Sequence, residues 1–208
     1  MKTGKYYILG RSGAGSLIVE FLLKEVGADY DISFGTSDDM TANDVNKYHP
    51  SGKIPVLICP NGNPVFETLA IVNHITDRFA SLVPKKGTTL NDRYWQFLSL
   101  LATSIYPAYH RQHHSHYYIS EEGYENLQHR ARKEQAKIYD YIEGQLSPFI
   151  CKDLLTAVDF YLYMLTRWDL NKDNLYNGRP NLKHLTDEIR NRSTVKAVLD
   201  GQPRRKRR

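Results

Sequence analysis

SGKIPVLICPNGNPVFETLAI, residues 51–71, holds a strand, a turn, a second strand and the start of a helix in close succession, and the rest of the chain can be arranged around it. Ile54-Pro55 opens an apolar run through Cys59 whose β-branched content suits a buried strand, with a proline at the one position where a ladder hydrogen bond can be forgone. Pro60-Asn-Gly-Asn63 reads as a turn, because Asn61-Gly62 readily supplies positive φ. Pro64-Val-Phe66 is a second short strand. After Glu67-Thr68, the spacing of Leu69, Ile71, Val72 and Ile75 predicts a helix.

Two features of this layout suggest ligand chemistry. Thr68 is a good N-cap, and a helix start offers unpaired backbone N–H groups and the positive end of a dipole, where a carboxylate can dock. Glu67 beside it can hold an ammonium, so the pair suits the α-amino acid end of a peptide. If Ile54-Pro55 is cis, as about 5–6% of X-Pro bonds are, the turn exposes the N–H and C=O of Ile54 to an extended peptide. An ordinary hairpin followed by a capped helix accounts for the same residues, and on this stretch alone both readings stay open.

Toward the amino end, Lys5-Tyr-Tyr-Ile-Leu9 reads as the first strand and Gly10-Arg-Ser-Gly-Ala-Gly15 as a flexible loop. Ser16 then opens a helix with Leu17, Phe21, Leu22 and Leu23 inward and Gly27 just past its end. The loop lacks the Gly-Lys-Ser/Thr ending of a phosphate-binding loop and the distant acidic residue of a dinucleotide site, which argues against a nucleotide. Tyr30-Asp-Ile-Ser-Phe34 alternates as a second strand, and Asp38 to His49 is polar, irregular, with a short helix. Residues 1–80 therefore read as β-α-β, a loose link, then β-β-α.

Toward the carboxyl end, residues 81–91, with Pro84 and Gly87, read as a linker. From Asp92 onward strand signals disappear. Trp95, Leu98, Leu101, Ala102, Ile105 and Tyr109 recur at helical spacing, and Leu127, Ala131, Gln135, Ile138 and Ile142 form a second stripe, which together predict two long antiparallel helices. Thr156 with Asp159 three residues on is a capping box, flanked by Leu155 and Phe160 as a hydrophobic staple, for a helix running toward Trp168. Asn181 to Arg190 and Ser193 to Leu199 complete an all-helical domain over 92–200, and 201–208 is expected to be a disordered basic tail.

With 208 residues the chain is long enough for two small cores. It has no apolar run near the ~18 residues of a membrane span and no secretory leader, so a cytoplasmic protein that does not enter a membrane is expected. Cys59 and Cys151 form neither a disulfide framework nor a zinc pattern and read as packing residues. The net charge of +5 equals the charge of Arg204 to Arg208, so the rest of the chain is formally neutral and nucleic acid is not an expected partner.

Gly52-Lys-Ile-Pro-Val-Leu57 followed by Glu67-Thr-Leu-Ala-Ile71 is similar to the glutathione-binding signature of the cytosolic glutathione transferases, and Gly13-Ala-Gly-Ser-Leu17 looks most like the bacterial beta class. The resemblance runs from Tyr6 to about Leu199. It implies a thioredoxin-like amino-terminal domain followed by an all-α bundle, reduced glutathione as co-substrate, and assembly as a homodimer. It also implies a set of contacts: Ile54 bonded to the cysteinyl backbone, Lys53 near the glycyl carboxylate, Glu67 and Thr68 on the γ-glutamyl end, and Pro55 as the cis residue that shapes the turn. The implied reaction joins glutathione to small hydrophobic electrophiles or uses it to reduce peroxides.

That chemistry needs an ionised thiol. A free thiol with pKa near 8.5 is only about 3% ionised at pH 7, and lowering the pKa by about two units, about 2.7 kcal/mol, raises this some 25-fold. The chain departs from the family pattern here. It has Gly15 at the beta-class cysteine position, Tyr106 and Pro107 where that class tends to carry histidine and lysine, and Leu9 where the tyrosine-type transferases carry their tyrosine. Ser16, at the helix start, is the first candidate to activate the thiol, with Ser12 next and Tyr106 after it; the plain alternative for Ser16 is a helix cap.

The segment Tyr106 to Tyr118, YPAYHRQHHSHYY, is dense in aromatic and imidazole rings. By resemblance it flanks the electrophile site, which assigns Tyr106, Tyr109, His110 and Trp168 to its lining, against the alternative of an exposed polar helix end. His110, His113 and His114 have i, i+3, i+4 spacing without an accompanying carboxylate or cysteine, so no built metal site is expected. A second implied function is a transferase fold without catalysis that serves as a binding or regulatory module, as in proteins of the stringent starvation type. A glutathione-dependent reductase is disfavoured, because neither cysteine is placed at a helix N-terminus.

Overall fold

The computed structural model describes residues 4–35 and 45–203. In chain order the elements are β1 (Tyr6–Gly10), α1 (Leu17–Glu25), β2 (Tyr30–Phe34), β3 (Val56–Ile58), β4 (Pro64–Phe66) and α2 (Thr68–Phe79), followed by helices alone. These are α3 (Thr89–Leu100), a π-helical turn (Leu101–Ile105), α4 (Tyr106–His113), α5 (Tyr124–Glu143), α6 (Ala157–Thr166), α7 (Lys172–Tyr176), α8 (Pro180–Asn191) and α9 (Ser193–Asp200). The chain divides into two compact units, one comprising residues 1–81 and 190–208, the other 82–189.

The first unit is built on a sheet of order β2-β1-β3-β4. β1 is parallel to β2, which requires the crossover that α1 provides, and antiparallel to β3, which forms a hairpin with β4. This is the thioredoxin-like arrangement with a small mixed sheet. α1 is buried along its whole length from Leu17 to Leu23 because α2 covers it on one side and α9 on another. α2 presents Ile71, Val72 and Ile75 to the core, all wholly buried, as the apolar spacing requires. The sequence reading of Asp38 to His49 falls mostly outside the described residues; Val45 and Asn46 are helical and lead into a turn.

The second unit is all helical. α3, the π-helical turn and α4 follow one another without a break from Thr89 to His113, and α4 packs against α5. α3 begins at Thr89, three residues before the expected start, because Thr88 caps it by accepting the N–H of Asn91. The wider π geometry ends just before Pro107, whose ring lacks an N–H and would collide with the carbonyl one turn back in a regular α-helix. α6 is buried at all ten of its positions, and its capping box is formed. Asp159 accepts hydrogen bonds from the N–H groups of Thr156 (2.8 Å) and Ile150 (2.9 Å) and from the Thr156 hydroxyl (2.9 Å). Burial outweighs those donors and holds its carboxyl up at about 6.

α9 departs from the expected grouping of residues 92–200 in one helical domain. Val195 and Val198 are buried and the helix packs on α1, with Arg192 and the Thr194 hydroxyl both bonded to Glu25. An amphipathic helix is placed by whatever apolar surface is left to cover, and here that surface belongs to α1. Gln202 and Pro203 are likewise bonded to the first unit, so the expected tail begins as a fixed segment; Arg204 to Arg208 lie outside the described residues.

Candidate functional site

Strand register brings three stretches to one end of the sheet. Val56 pairs with Phe66 across the β3–β4 hairpin, so the next pair outward is Pro55 opposite Glu67. Leu9 pairs with Val56 on the other side, so β1 ends, at Gly10, beside the same proline. The loop from Arg11 to Gly15, the Ile54–Pro55 turn and the Glu67-Thr68 start of α2 therefore gather at one edge. The Ile54–Pro55 bond is cis, as the sequence reading required of its peptide-binding form. Ile54 precedes the first ladder pair, which leaves its main chain beside the strands rather than between them.

Glu67, rather than Thr68, is the cap of α2: its backbone sits at φ 67°, ψ 127°, and Thr68 is the first helical residue. A non-glycine residue held at positive φ costs on the order of 1–3 kcal/mol and persists only where its surroundings fix it. The Glu67 side chain is 71% exposed, and its Oε1 lies 3.4 Å from Nε2 of His49, a side chain only 4% exposed. His49 Nδ1 accepts the N–H of Ser51 (3.0 Å), and its ring lies on Phe66 with centroids 4.9 Å apart. Sequence reasoning missed His49. The available signal was its place just ahead of Pro50-Ser-Gly-Lys-Ile-Pro55, in the polar stretch read as irregular. Gly52 is required in that turn: its φ is +60°, and a Cβ there would stand 2.4 Å from Oδ1 of Asn46. Lys53 is exposed beside it.

The loop candidates are arranged differently from the expectation. Ser16 is wholly buried, and its hydroxyl is engaged with the loop itself, donating to the Arg11 carbonyl (3.0 Å) and accepting the Arg11 N–H (3.1 Å). It makes no cap bond to α1, so both the capping role and direct contact with a bound thiol give way to a role as the brace of the loop. Gly10 makes room for it, since a Cβ there would meet the Ser16 Cβ at 2.6 Å. Ser12 is half-buried and donates to the Pro203 carbonyl (3.0 Å). Gly13 N–H donates to Oε1 of Gln202 (3.1 Å), while the Gln202 amide nitrogen donates to both oxygens of Glu20 (3.1 and 3.0 Å). Glu20 is buried on α1, which raises its carboxyl to about 7 despite that donor.

In the second unit the rings assigned to an electrophile site form two groups. The half-buried Tyr106 and Trp168 meet edge to face with centroids 5.0 Å apart. Tyr109 approaches Trp168 at 6.0 Å, but it is 1% exposed and its hydroxyl is bonded to those of Tyr139 (3.1 Å) and Asp169 (3.2 Å), so it is a core residue and lines no surface. His110 belongs to the second group: Nδ1 contacts the Tyr118 hydroxyl at 2.8 Å, and its ring lies against His114 and Tyr117. One turn of helix separates the two faces.

Cys59 sits at the other end of β3 from Pro55, with Sγ 3.4 Å from Nε2 of His74, and burial pushes its thiol up. Cys151 is buried and pushed up to about 11. Among the described residues no group of three or more His, Cys, Asp or Glu side chains is placed to hold a metal ion, and no helix is long and apolar enough to cross a membrane.

The same fold recurs in solved structures. A glutathione transferase homolog from Sulfitobacter with bound glutathione superposes with a TM-score of 0.84 at 18% identity, over 94% of this chain and 97% of the other. The glutathione transferase URE2P6 from Phanerochaete chrysosporium, in complex with oxidized glutathione, gives 0.82 at 21% identity over 94% of each chain. A beta class glutathione S-transferase from Sphingomonas chungbukensis gives 0.78 at 24% identity, over 93% of this chain and 97% of that one. No curated protein sequence matches the chain. Family profiles described as the glutathione S-transferase N-terminal domain and the glutathione S-transferase C-terminal domain match residues 16–78 and 105–193, between them most of the chain, in the same order as the two kinds of structure found here. The chain belongs to the glutathione S-transferase family.

Proposed function

We propose that this protein binds reduced glutathione at the end of the sheet and joins its sulfur to small hydrophobic electrophiles. The observation that carries the reading is the hairpin register, which sets the cis Ile54–Pro55 turn opposite Glu67. Ile54 offers N–H and C=O to the cysteinyl backbone, Glu67 and Thr68 take the γ-glutamyl ammonium and carboxylate, and Lys53 takes the glycyl carboxylate. The cysteinyl sulfur then falls toward the Arg11–Gly15 loop. Ser12 supplies the hydroxyl donor, and Ser16 holds the loop in shape from beneath. With a chloronitroaromatic substrate the thiolate forms the new carbon–sulfur bond, chloride leaves with the carbon–chlorine electron pair, and the thiol proton passes to solvent. Tyr106 and Trp168 are the rings we assign to the electrophile. Reduction of peroxides by the same thiolate, assembly as a homodimer and a cytoplasmic location belong to the same reading.

A specific observation favours a second reading, a binding module without turnover. Gly15 stands where a cysteine would act, the Ser16 proton goes to Arg11, and the Ser12 proton goes to Pro203. Ultraviolet titration of the bound glutathione thiolate separates the two. Catalysis predicts a thiol pKa lowered by about two units, restored toward the free value in Ser12→Ala. Binding with an unshifted thiol selects the module, and absence of glutathione binding removes both.

A further inference from the structure

We propose that His49 is a positioning residue for Glu67 and so sets the preference of the site for a peptide with a free α-amino group on its γ-glutamyl end; this rests on the glutathione reading above. Glu67 is an exposed side chain on a backbone held at positive φ, and by itself such a carboxylate would sample many rotamers. His49 is the opposite, a buried ring fixed on every side. Its own N–H donates to the Val45 carbonyl (2.8 Å) and its carbonyl accepts the N–H of Gly52 (3.0 Å). Phe66, adjacent to Glu67 in sequence, holds one side of the ring.

The tautomer follows from the turn. Ser51 N–H donates to Nδ1, so the ring proton sits on Nε2, the atom that faces Oε1 of Glu67 at 3.4 Å. An N–H dipole anchored in the fold is thus aimed at one oxygen of the carboxylate, leaving Oε2 for an incoming ammonium. A carboxylate oriented before the ligand arrives does not have to be ordered on binding. The competing account makes His49 a packing residue satisfied by Ser51 and Phe66, with its approach to Glu67 incidental.

Calorimetric titration distinguishes these accounts without reference to catalysis. The probes are reduced glutathione and the analogue in which hydrogen replaces the γ-glutamyl α-amino group. The decisive variant is His49→Asn, which keeps a side-chain acceptor for the N–H of Ser51 two residues on but is too short to reach Glu67. The wild-type protein is expected to prefer glutathione, and His49→Asn to lower that preference about fivefold while leaving affinity for the analogue unchanged. Glu67→Asp draws the carboxylate away from an unaltered His49 and is expected to give the same fall, which keeps the test decisive if His49→Asn does not fold. His49→Gln, whose amide nitrogen occupies the place of Nε2, is expected to restore the preference. An unchanged preference in folded His49→Asn, or in Glu67→Asp where that is the only folded variant, overturns the role of His49. If the wild-type protein binds neither probe, the glutathione reading fails and this inference with it.

Discussion

Two carboxylates are buried without a cation against them, and each carries a legible pH dependence. Glu20 titrates at about 7 in the folded chain, against about 4.5 when exposed, because the Gln202 amide offsets only part of the cost of taking the charge out of water. Between those two values the folded state retains a proton that the unfolded chain has lost. Stability is therefore greatest below about 4.5, falls as pH rises, and levels off above about 7, by about 3 kcal/mol from this group. Urea unfolding at a series of pH values is expected to show that fall, and Glu20→Gln to reduce it. Asp159, at about 6, acts in the same direction over a lower window, from about 4 to about 6. At this scale the sequence supplied residue types and candidate pairs but not burial. Ser16 was read from its place beside an apolar helix, and only the packing of Gly10 against it shows that its hydroxyl faces inward.

Elements were legible wherever local chemistry alone decides. The capping box at Thr156 and Asp159 formed as read, since an N-cap hydroxyl and an N3 carboxylate satisfy each other's neighbouring N–H groups whatever packs around them. Thr156→Ala is expected to lower stability by about 1–2 kcal/mol, measured by the urea midpoint at constant slope. The hairpin was likewise legible, with Gly62 at φ +84° in the turn after β3 and β4 spanning Pro64–Phe66. Elements whose form depends on long-range contacts were not. The cap of α2 is Glu67 because the end of β4 delivers the chain at that angle, although Thr68 is the better capping residue by type. The π-helical turn before Pro107 left no periodic mark, since a single wide turn shifts the apolar stripe by one residue and no more.

At the scale of the molecule, α9 closes the first unit by returning to α1 after more than a hundred residues of helices. Val195 is wholly buried in that contact, so Val195→Ala is expected to lower stability by about 2 kcal/mol, seen as an earlier urea transition. The sequence by itself determined the mixed sheet, the all-helical second unit and the two short signatures at 54–55 and 67–68, because each is written in spacing, turn residues and caps within a few positions. Tertiary structure alone decided that the end of β1, the cis turn and Glu67 share one edge, that His49 stands behind that glutamate, and that Gln202 reaches Gly13. Such neighbours are set by strand register and by the burial of whole faces, and a residue's type carries no record of which distant surface will cover it.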